Sequence, residues 1–163
     1  MTERTRIIRR PETRELIVER LIPVPRERVW LGWTRPEQLA RWWGPSAWVA
    51  TIHEMDVRPG GVWRYTLAPK DGDGELVRCK ATYREVEEPA RLAYVDTFAD
   101  ELWQSVVGSE MDTLVTFEPV EQHTLLSITT RFASVADLDS ADAMGMIEGF
   151  THALERLDTW CTS

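Results

Sequence analysis

One change of hydrophobic period limits the folds open to this chain. Over residues 48–132, apolar and polar residues alternate in short runs separated by turn residues, as in strands with one dry and one wet face. Over residues 140–161, the apolar residues instead recur at helical spacing. Two short helical segments over 26–32 and 34–42 precede the alternating region, and a strand over 14–22 precedes them. This order predicts an α+β fold in which one antiparallel sheet packs against a long C-terminal helix.

Tryptophan is concentrated at the junction between the short helices and the sheet. Trp42 and Trp43 are adjacent at the end of the second helix, and a Pro-Gly-Gly turn at residues 59–61 leads into a strand that carries Trp63. Adjacent tryptophans are costly to order, and burial of their large apolar rings is what compensates that cost. The pattern favours an apolar interior that lines a cavity over a catalytic cleft.

The charge balance excludes two classes of partner. The chain of 163 residues has a net charge of -8. Binding to nucleic acid or to an anionic membrane surface needs clustered lysine and arginine, which the sequence provides only near its N-terminus. No run of about 18 apolar residues is present, as a spanning helix would require. We therefore expect neither nucleic acid nor a membrane as a partner.

The N-terminal residues read as a tail. Residues 1–13 contain Arg4, Arg6, Arg9 and Arg10 and are interpreted as a mobile segment before a single domain over residues 14–163. No apolar targeting segment is visible, and Cys79 and Cys161 match no metal or redox spacing, so we expect a cytoplasmic protein with reduced thiols.

Several runs of residues, in order, resemble one known family. They are residues 25–30, 33–37, 41–45, 56–61 and 88–92 together with the glycines and leucines of the terminal helix, and they span about 14–161. They are similar to the START-like (SRPBCC) superfamily with its helix-grip fold. More narrowly, they resemble the family named for the C-terminal domain of the activator of heat-shock protein 90 ATPase.

The resemblance implies a seven-stranded antiparallel sheet wrapped around the C-terminal helix, with the two short helices between strands 1 and 2. A cavity would lie between sheet and helix and would bind a small apolar or aromatic ligand. By that analogy, inward aromatic side chains line the cavity, and Trp42 and Trp43 lie near its mouth; the inward set is Trp63, Tyr65, Tyr83, Tyr94, Phe117 and Phe150. Each of these has packing in the core as a plain alternative.

Few residues suggest catalysis. Nucleophile elbows, phosphate-binding glycine loops and zinc-protease spacing are missing. His53 shares a predicted strand face with Met55, so it is a candidate acid or base, or else an ordinary structural histidine. Asp96, between Tyr94 and Phe98 on one strand face, is either a cavity carboxyl with a raised pKa or an outward, salt-bridged one. The three histidines are too dispersed to predict a metal site, and no cofactor is expected.

Three hypotheses about function follow. The first is a binding protein without catalysis, the second is a polyketide cyclase or aromatase-like enzyme that uses the same cavity, and the third is a chaperone-associated stress protein.

Two further features bear on the cavity. Residues 99–111 contain apolar side chains that predict a lid or a subunit contact, and hence a homodimer as one possibility. Gly145 and Gly149 lie one turn apart in the predicted terminal helix, which indicates either close packing against the sheet or space for a bound molecule.

Overall fold

The computed structural model describes residues 5–45, 47–72 and 74–162 of the chain. Its elements are β1 (Thr5–Arg10), a short 3-10 turn (Pro11–Thr13), β2 (Glu15–Ile22), α1 (Arg26–Thr34), α2 (Pro36–Trp42), β3 (Trp48–Met55), β4 (Val62–Pro69), β5 (Val77–Glu87), β6 (Arg91–Phe98), β7 (Met111–Val120), β8 (His123–Arg131), α3 (Val135–Ala143) and α4 (Met146–Thr162).

The strands form one antiparallel sheet in the order β1-β2-β8-β7-β6-β5-β4-β3. Helices α1 and α2 carry the chain from β2, near one edge of the sheet, to β3 at the other edge. Together with α4 they pack on the concave face, where the buried aromatic and aliphatic side chains collect. The α+β helix-grip fold predicted from the sequence is thereby confirmed.

The described part of the sheet has eight strands and not the predicted seven. The additional strand is β1, which pairs with β2 from Thr5↔Arg20 to Arg10↔Glu15. It lies within residues 1–13, which the sequence had led us to interpret as a tail; residues 1–4 of that tail lie outside the described residues. Because β1 is an edge strand with no buried residue, its sequence lacks the apolar alternation by which the other strands are recognised.

Prolines set the starts of the two short helices. Pro25 directly precedes α1, and Pro36 is the first residue of α2, where a missing N–H removes no helical hydrogen bond. Trp42 is fully buried, and its indole N–H donates to the main-chain oxygen of Gly32 at 2.8 Å. This bond fixes α2 against α1 and closes one end of the grip.

The predicted C-terminal helix is two helices. Helix α3 ends at Ala143 and α4 begins at Met146, and Gly145 between them has a φ of +88°. Gly145 is therefore a helix-ending residue and not a helix-interior one, because left-handed backbone favours glycine. Gly149 does lie within α4, and a Cβ there would be 3.5 Å from the Pro45 side chain. Among the described residues, no helix is long and apolar enough to cross a membrane.

Candidate functional site

A cavity of about 570 Å³ lies between the sheet and helices α3 and α4. Strands β4, β5 and β6 provide its floor, and the α3–α4 turn and the first half of α4 provide its roof. Residues 43–45, Trp48 and residues 108–111 form its sides. Most of its surface is apolar. The large side chains on it are Trp43, Trp48, Tyr65, Leu67, Phe98, Met111, Phe132, Met144, Met146 and Phe150.

Asp96 is the polar centre of this cavity. Its side chain is buried, with 7% of the residue exposed, and the Tyr65 hydroxyl donates to its Oδ2 at 2.9 Å. The other carboxyl oxygen, Oδ1, is buried without a hydrogen-bond partner. A buried hydrogen-bond acceptor without a partner lowers the stability of a folded protein. The described side chains provide no hydrogen-bond donor to Oδ1.

Burial controls the protonation of Asp96 and its neighbours. Desolvation raises the pKa of Asp96 to about 7, against the lowering effect of hydrogen bonds from the Tyr65 hydroxyl and the Thr97 main-chain N–H. Desolvation also raises the pKa of Tyr65 well above its ordinary value and, with the nearby Asp96 charge, that of Cys79 to about 12. At neutral pH the cavity therefore contains a phenol and a thiol that stay protonated beside a carboxyl that can change its charge.

The structure divides the aromatic residues predicted to line the cavity. Trp43, Tyr65 and Phe150 lie on its wall. The others pack instead in the buried core behind it, edge to face with neighbouring rings: Trp42, Trp63, Tyr83, Tyr94 and Phe117. The ring centroids of these edge-to-face pairs are 4.9 to 6.2 Å apart, and Trp63 and Tyr83 stack with centroids 6.4 Å apart, which are spacings of favourable aromatic pairs. Trp63, Tyr83, Tyr94 and Phe117 are buried on the inward face, which the core and the cavity wall share. Trp42, expected near the cavity mouth, is not among the lining residues.

His53 lies outside the cavity, contrary to the strand parity predicted for it. A β-bulge between Ile52 and Glu54 shifts the pairing of β3 with β4, so Met55 points inward while His53 does not. The exposed His53 ring is instead 3.0 Å from the Thr66 hydroxyl through Nε2, and its centroid is 5.4 Å from that of Trp103. His53 is therefore not one of the residues that line the cavity.

The predicted lid or contact segment, residues 99–111, consists of a loop over 99–110 and the first residue of β7, and it has two parts. Ala99 and Ser105 make an isolated antiparallel bridge, and Trp103 lies over the Arg64 guanidinium at 5.8 Å on the outer face of the sheet. Residues 108–111 turn back to line the cavity. The loop thus borders the opening, while its role as a lid or subunit contact stays a prediction.

Sequence reasoning missed the part of the wall that is formed by α3 and by the turn between α3 and α4. Met144 and Met146 flank the turn between α3 and α4, and Asp137, Ser140 and Ala141 of α3 face the cavity. Gly145 was the available signal, because a glycine is common just past the end of a helix and a second amphipathic run follows it. Among the described residues, no cluster of three or more histidine, cysteine, aspartate or glutamate side chains could hold a metal ion.

Comparison with known proteins supports the fold and its lineage. The model of a family described as Activator of Hsp90 ATPase homolog 1-like protein matches residues 23–161. A solved structure of a protein from Arthrobacter aurescens is 30% identical, with a TM-score of 0.89, and the match covers 96% of this chain and 91% of that one. A protein from Mycobacterium smegmatis is 28% identical, with a TM-score of 0.87 and coverage of 96% and 95%.

A more distant structure has the same fold. A protein from Silicibacter pomeroyi that carries the matched family's name is 19% identical, with a TM-score of 0.74 and coverage of 91% and 97%. No curated protein matches the chain.

Proposed function

We propose that this chain, which belongs to the family of Activator of Hsp90 ATPase homolog 1-like proteins, binds a small apolar or aromatic molecule between its sheet and its C-terminal helices without catalysing a reaction. The cavity itself is the observation that carries this proposal. Its volume of about 570 Å³ falls in the range of about 300–1,000 Å³ typical of small-molecule sites. Its wall joins many apolar side chains to a single buried carboxyl, which is the usual make-up of such sites.

A fluorescent apolar probe tests the proposal directly. N-phenyl-1-naphthylamine, which is uncharged at neutral pH and brightens in apolar surroundings, is expected to bind saturably. Ala141 lies on the cavity wall, so Ala141→Trp fills the space and is expected to weaken probe binding roughly tenfold or more. Ala143→Trp places the same side chain at an exposed position of the same helix and should leave binding unchanged.

Equal probe binding by the native protein and by Ala141→Trp would contradict the proposal, provided that both variants melt cooperatively. In that case the probe would occupy some other surface. Native mass spectrometry of the untreated protein provides an independent readout, because a compound carried through purification would appear as added mass.

The second candidate function is an acid–base reaction on the bound molecule, as in a polyketide cyclase. The observation that favours it is the position of Asp96, a carboxyl inside the cavity whose pKa of about 7 suits proton transfer at neutral pH. A change in mass of the bound compound during incubation, lost in Asp96→Asn, would support this function over simple binding.

The family's description also suggests a third proposal, association with the chaperone Hsp90. A pull-down with purified Hsp90 tests it, and the absence of capture would count against it without touching the first two proposals.

A further inference from the structure

The unpaired carboxyl oxygen of Asp96, Oδ1, favours a ligand that carries a hydrogen-bond donor. The Tyr65 hydroxyl occupies Oδ2, while Oδ1 is buried and unpaired beside the cavity. A ligand group that donates a hydrogen bond to Oδ1 would complete the coordination of the carboxyl. None of the described polar neighbours is a hydrogen-bond partner of Oδ1: the Thr97 main-chain N–H interacts with the carboxyl but leaves Oδ1 without a partner, and Cys79 contacts Tyr65. The Thr97 hydroxyl is bonded to the Lys80 main-chain oxygen and to the Ser105 hydroxyl.

The charges around the cavity have one sign. Its described lining includes the carboxylates of Asp96, Glu110 and Asp137 and no lysine, arginine or histidine. Glu110 and Asp137 are exposed, so they lie where the cavity opens to solvent. Arg156, which donates to the Gly44 main-chain oxygen, is not part of the lining. Such an arrangement attracts cations and repels carboxylates such as fatty acids.

We infer that the bound molecule is an apolar or aromatic amine, whose ammonium group pairs with the Asp96 carboxylate while its apolar body fills the rest of the cavity. The inference rests on the proposed binding function and adds the chemical class of the ligand. An ammonium satisfies both observations at once, since it donates to the unpaired Oδ1 and compensates the buried negative charge. A neutral hydroxyl satisfies only the first.

Pairing of a ligand ammonium with Asp96 changes the number of protons bound at the site. The titratable groups that face Asp96 are Tyr65, Cys79, Tyr83 and Tyr94. Burial first, and the Asp96 charge second, raise the pKa of each, so they remain neutral near pH 7. Asp96 alone among them changes its charge there. An ammonium beside it lowers its pKa, and the carboxyl must then release the proton that part of the population carries.

Three probes of matched shape separate the charge from the apolar body. They are 2-(2-naphthyl)ethylamine, 2-(2-naphthyl)ethanol and 2-naphthylacetate, each used to displace N-phenyl-1-naphthylamine at about pH 8, above the pKa of Asp96. The amine is expected to bind roughly 10- to 100-fold more tightly than the alcohol, as for a hydrogen bond to a buried charge, and the carboxylate most weakly. In Asp96→Asn the ratio of the amine affinity to the alcohol affinity should fall to about one, because the charge that distinguishes the two probes is gone.

Control variants locate the effect. Glu110→Gln and Asp137→Asn remove exposed charges, and we expect each to weaken amine binding only slightly and only at low salt. The advantage given by Asp96 should persist at high salt, because a buried pair is poorly screened. A cooperative thermal unfolding transition of Asp96→Asn, followed by circular dichroism, shows that this variant is folded.

Calorimetry in buffers of different ionisation enthalpy gives a readout on the native protein alone. At about pH 7, amine binding should release a measurable fraction of a proton per molecule, and alcohol binding should release less. Proton release does not depend on how well any variant folds.

The inference fails if the alcohol binds as tightly as the amine, or if the preference for the amine persists in Asp96→Asn. Either result leaves the proposed binding function intact, because the naphthyl probes would still occupy the cavity. Absence of binding by N-phenyl-1-naphthylamine itself would instead overturn the proposed function and the inference together.

Discussion

The Asp96 side chain is held in the core at the expense of stability. A carboxyl whose pKa rises from 3.8 to about 7 on folding prefers to be protonated, so its ionised form opposes the folded state. The loss of folding free energy caused by the ionised carboxyl is at most about 4 kcal/mol, given that the pKa rises by roughly three. Groups kept at such expense are often functional, and here the group faces a cavity.

We predict that Asp96→Asn stabilises the protein above neutral pH. Below about pH 4 the carboxyl is protonated in both states and the variant should match the native protein. As pH rises toward about 7, the unfolded chain loses the proton that the folded chain keeps, so native stability falls relative to the variant. We expect a gain of about 1–3 kcal/mol at about pH 8, below the full amount because the new amide N–H₂ is also buried.

Denaturant unfolding of both proteins from about pH 4 to pH 8 measures this difference. A constant difference across the range would mean that Asp96 does not change its charge on folding, and a loss of stability at about pH 8 would mean that its charge is compensated in the folded state.

The sequence identified Asp96 as a candidate but left its direction open. Alternation fails around it because Thr97, on the opposite face of β6, is also buried beneath the loop at Ser105. For His53 the alternation was misleading, since a bulge one residue long reverses parity without changing composition. Both outcomes depend on contacts between distant parts of the chain, which no local pattern records.

Among the elements, α4 is joined to the sheet by a buried ion pair. The Arg20 guanidinium of β2 donates from Nε and Nη2 to Asp158 Oδ2 of α4 at 3.1 and 2.9 Å. Both side chains are about nine-tenths buried. Arg20 also donates to the Thr5 hydroxyl of β1 at 2.7 Å, so three elements meet at one guanidinium.

We predict that Asp158→Asn lowers the free energy of unfolding by about 3 kcal/mol, because it leaves the Arg20 charge buried without its counter-charge. The matched control is Glu85→Gln, which breaks the half-exposed pair with Arg91 and should cost less than about 1 kcal/mol. Urea unfolding at neutral pH compares them. If both variants lost less than about 1 kcal/mol of unfolding free energy, water would be stabilising the Arg20 charge as effectively as the Asp158 carboxylate does.

The order of the elements was predictable because each strand and helix has its own hydrophobic period. The helix break at Gly145 was not predictable in this way. The apolar rhythm continues through the turn from α3 to α4, so the sequence indicated one helix. For the same reason, the sequence did not indicate that Ala141 of α3 and Met146 of α4 face the cavity. Wall and core could not be separated either, because both lie on the inward face.

At the scale of the whole molecule, the N-terminal strand contacts the helix that borders the cavity. The Arg9 guanidinium of β1 pairs with Asp139 and, at 3.3 Å, with Asp142, both on α3. Helix α3 also provides Asp137, Ser140 and Ala141 to the cavity lining. The segment interpreted from sequence as a tail is thus tied by charge to the helix that borders the site.

We predict that Arg9→Ala loosens α3 while leaving the sheet unchanged. Partly exposed ion pairs contribute up to about 1 kcal/mol, so amide hydrogen exchange over residues 135–143 should accelerate by up to about fivefold, and high salt should remove most of the difference. Arg6→Ala, which breaks a pair with Glu19 of β2, is the control in the same strand and should leave α3 unaffected. Equal exchange of α3 in the two variants would mean that β1 does not restrain the helix. Selective acceleration would show that the edge strand helps to hold the cavity wall in place.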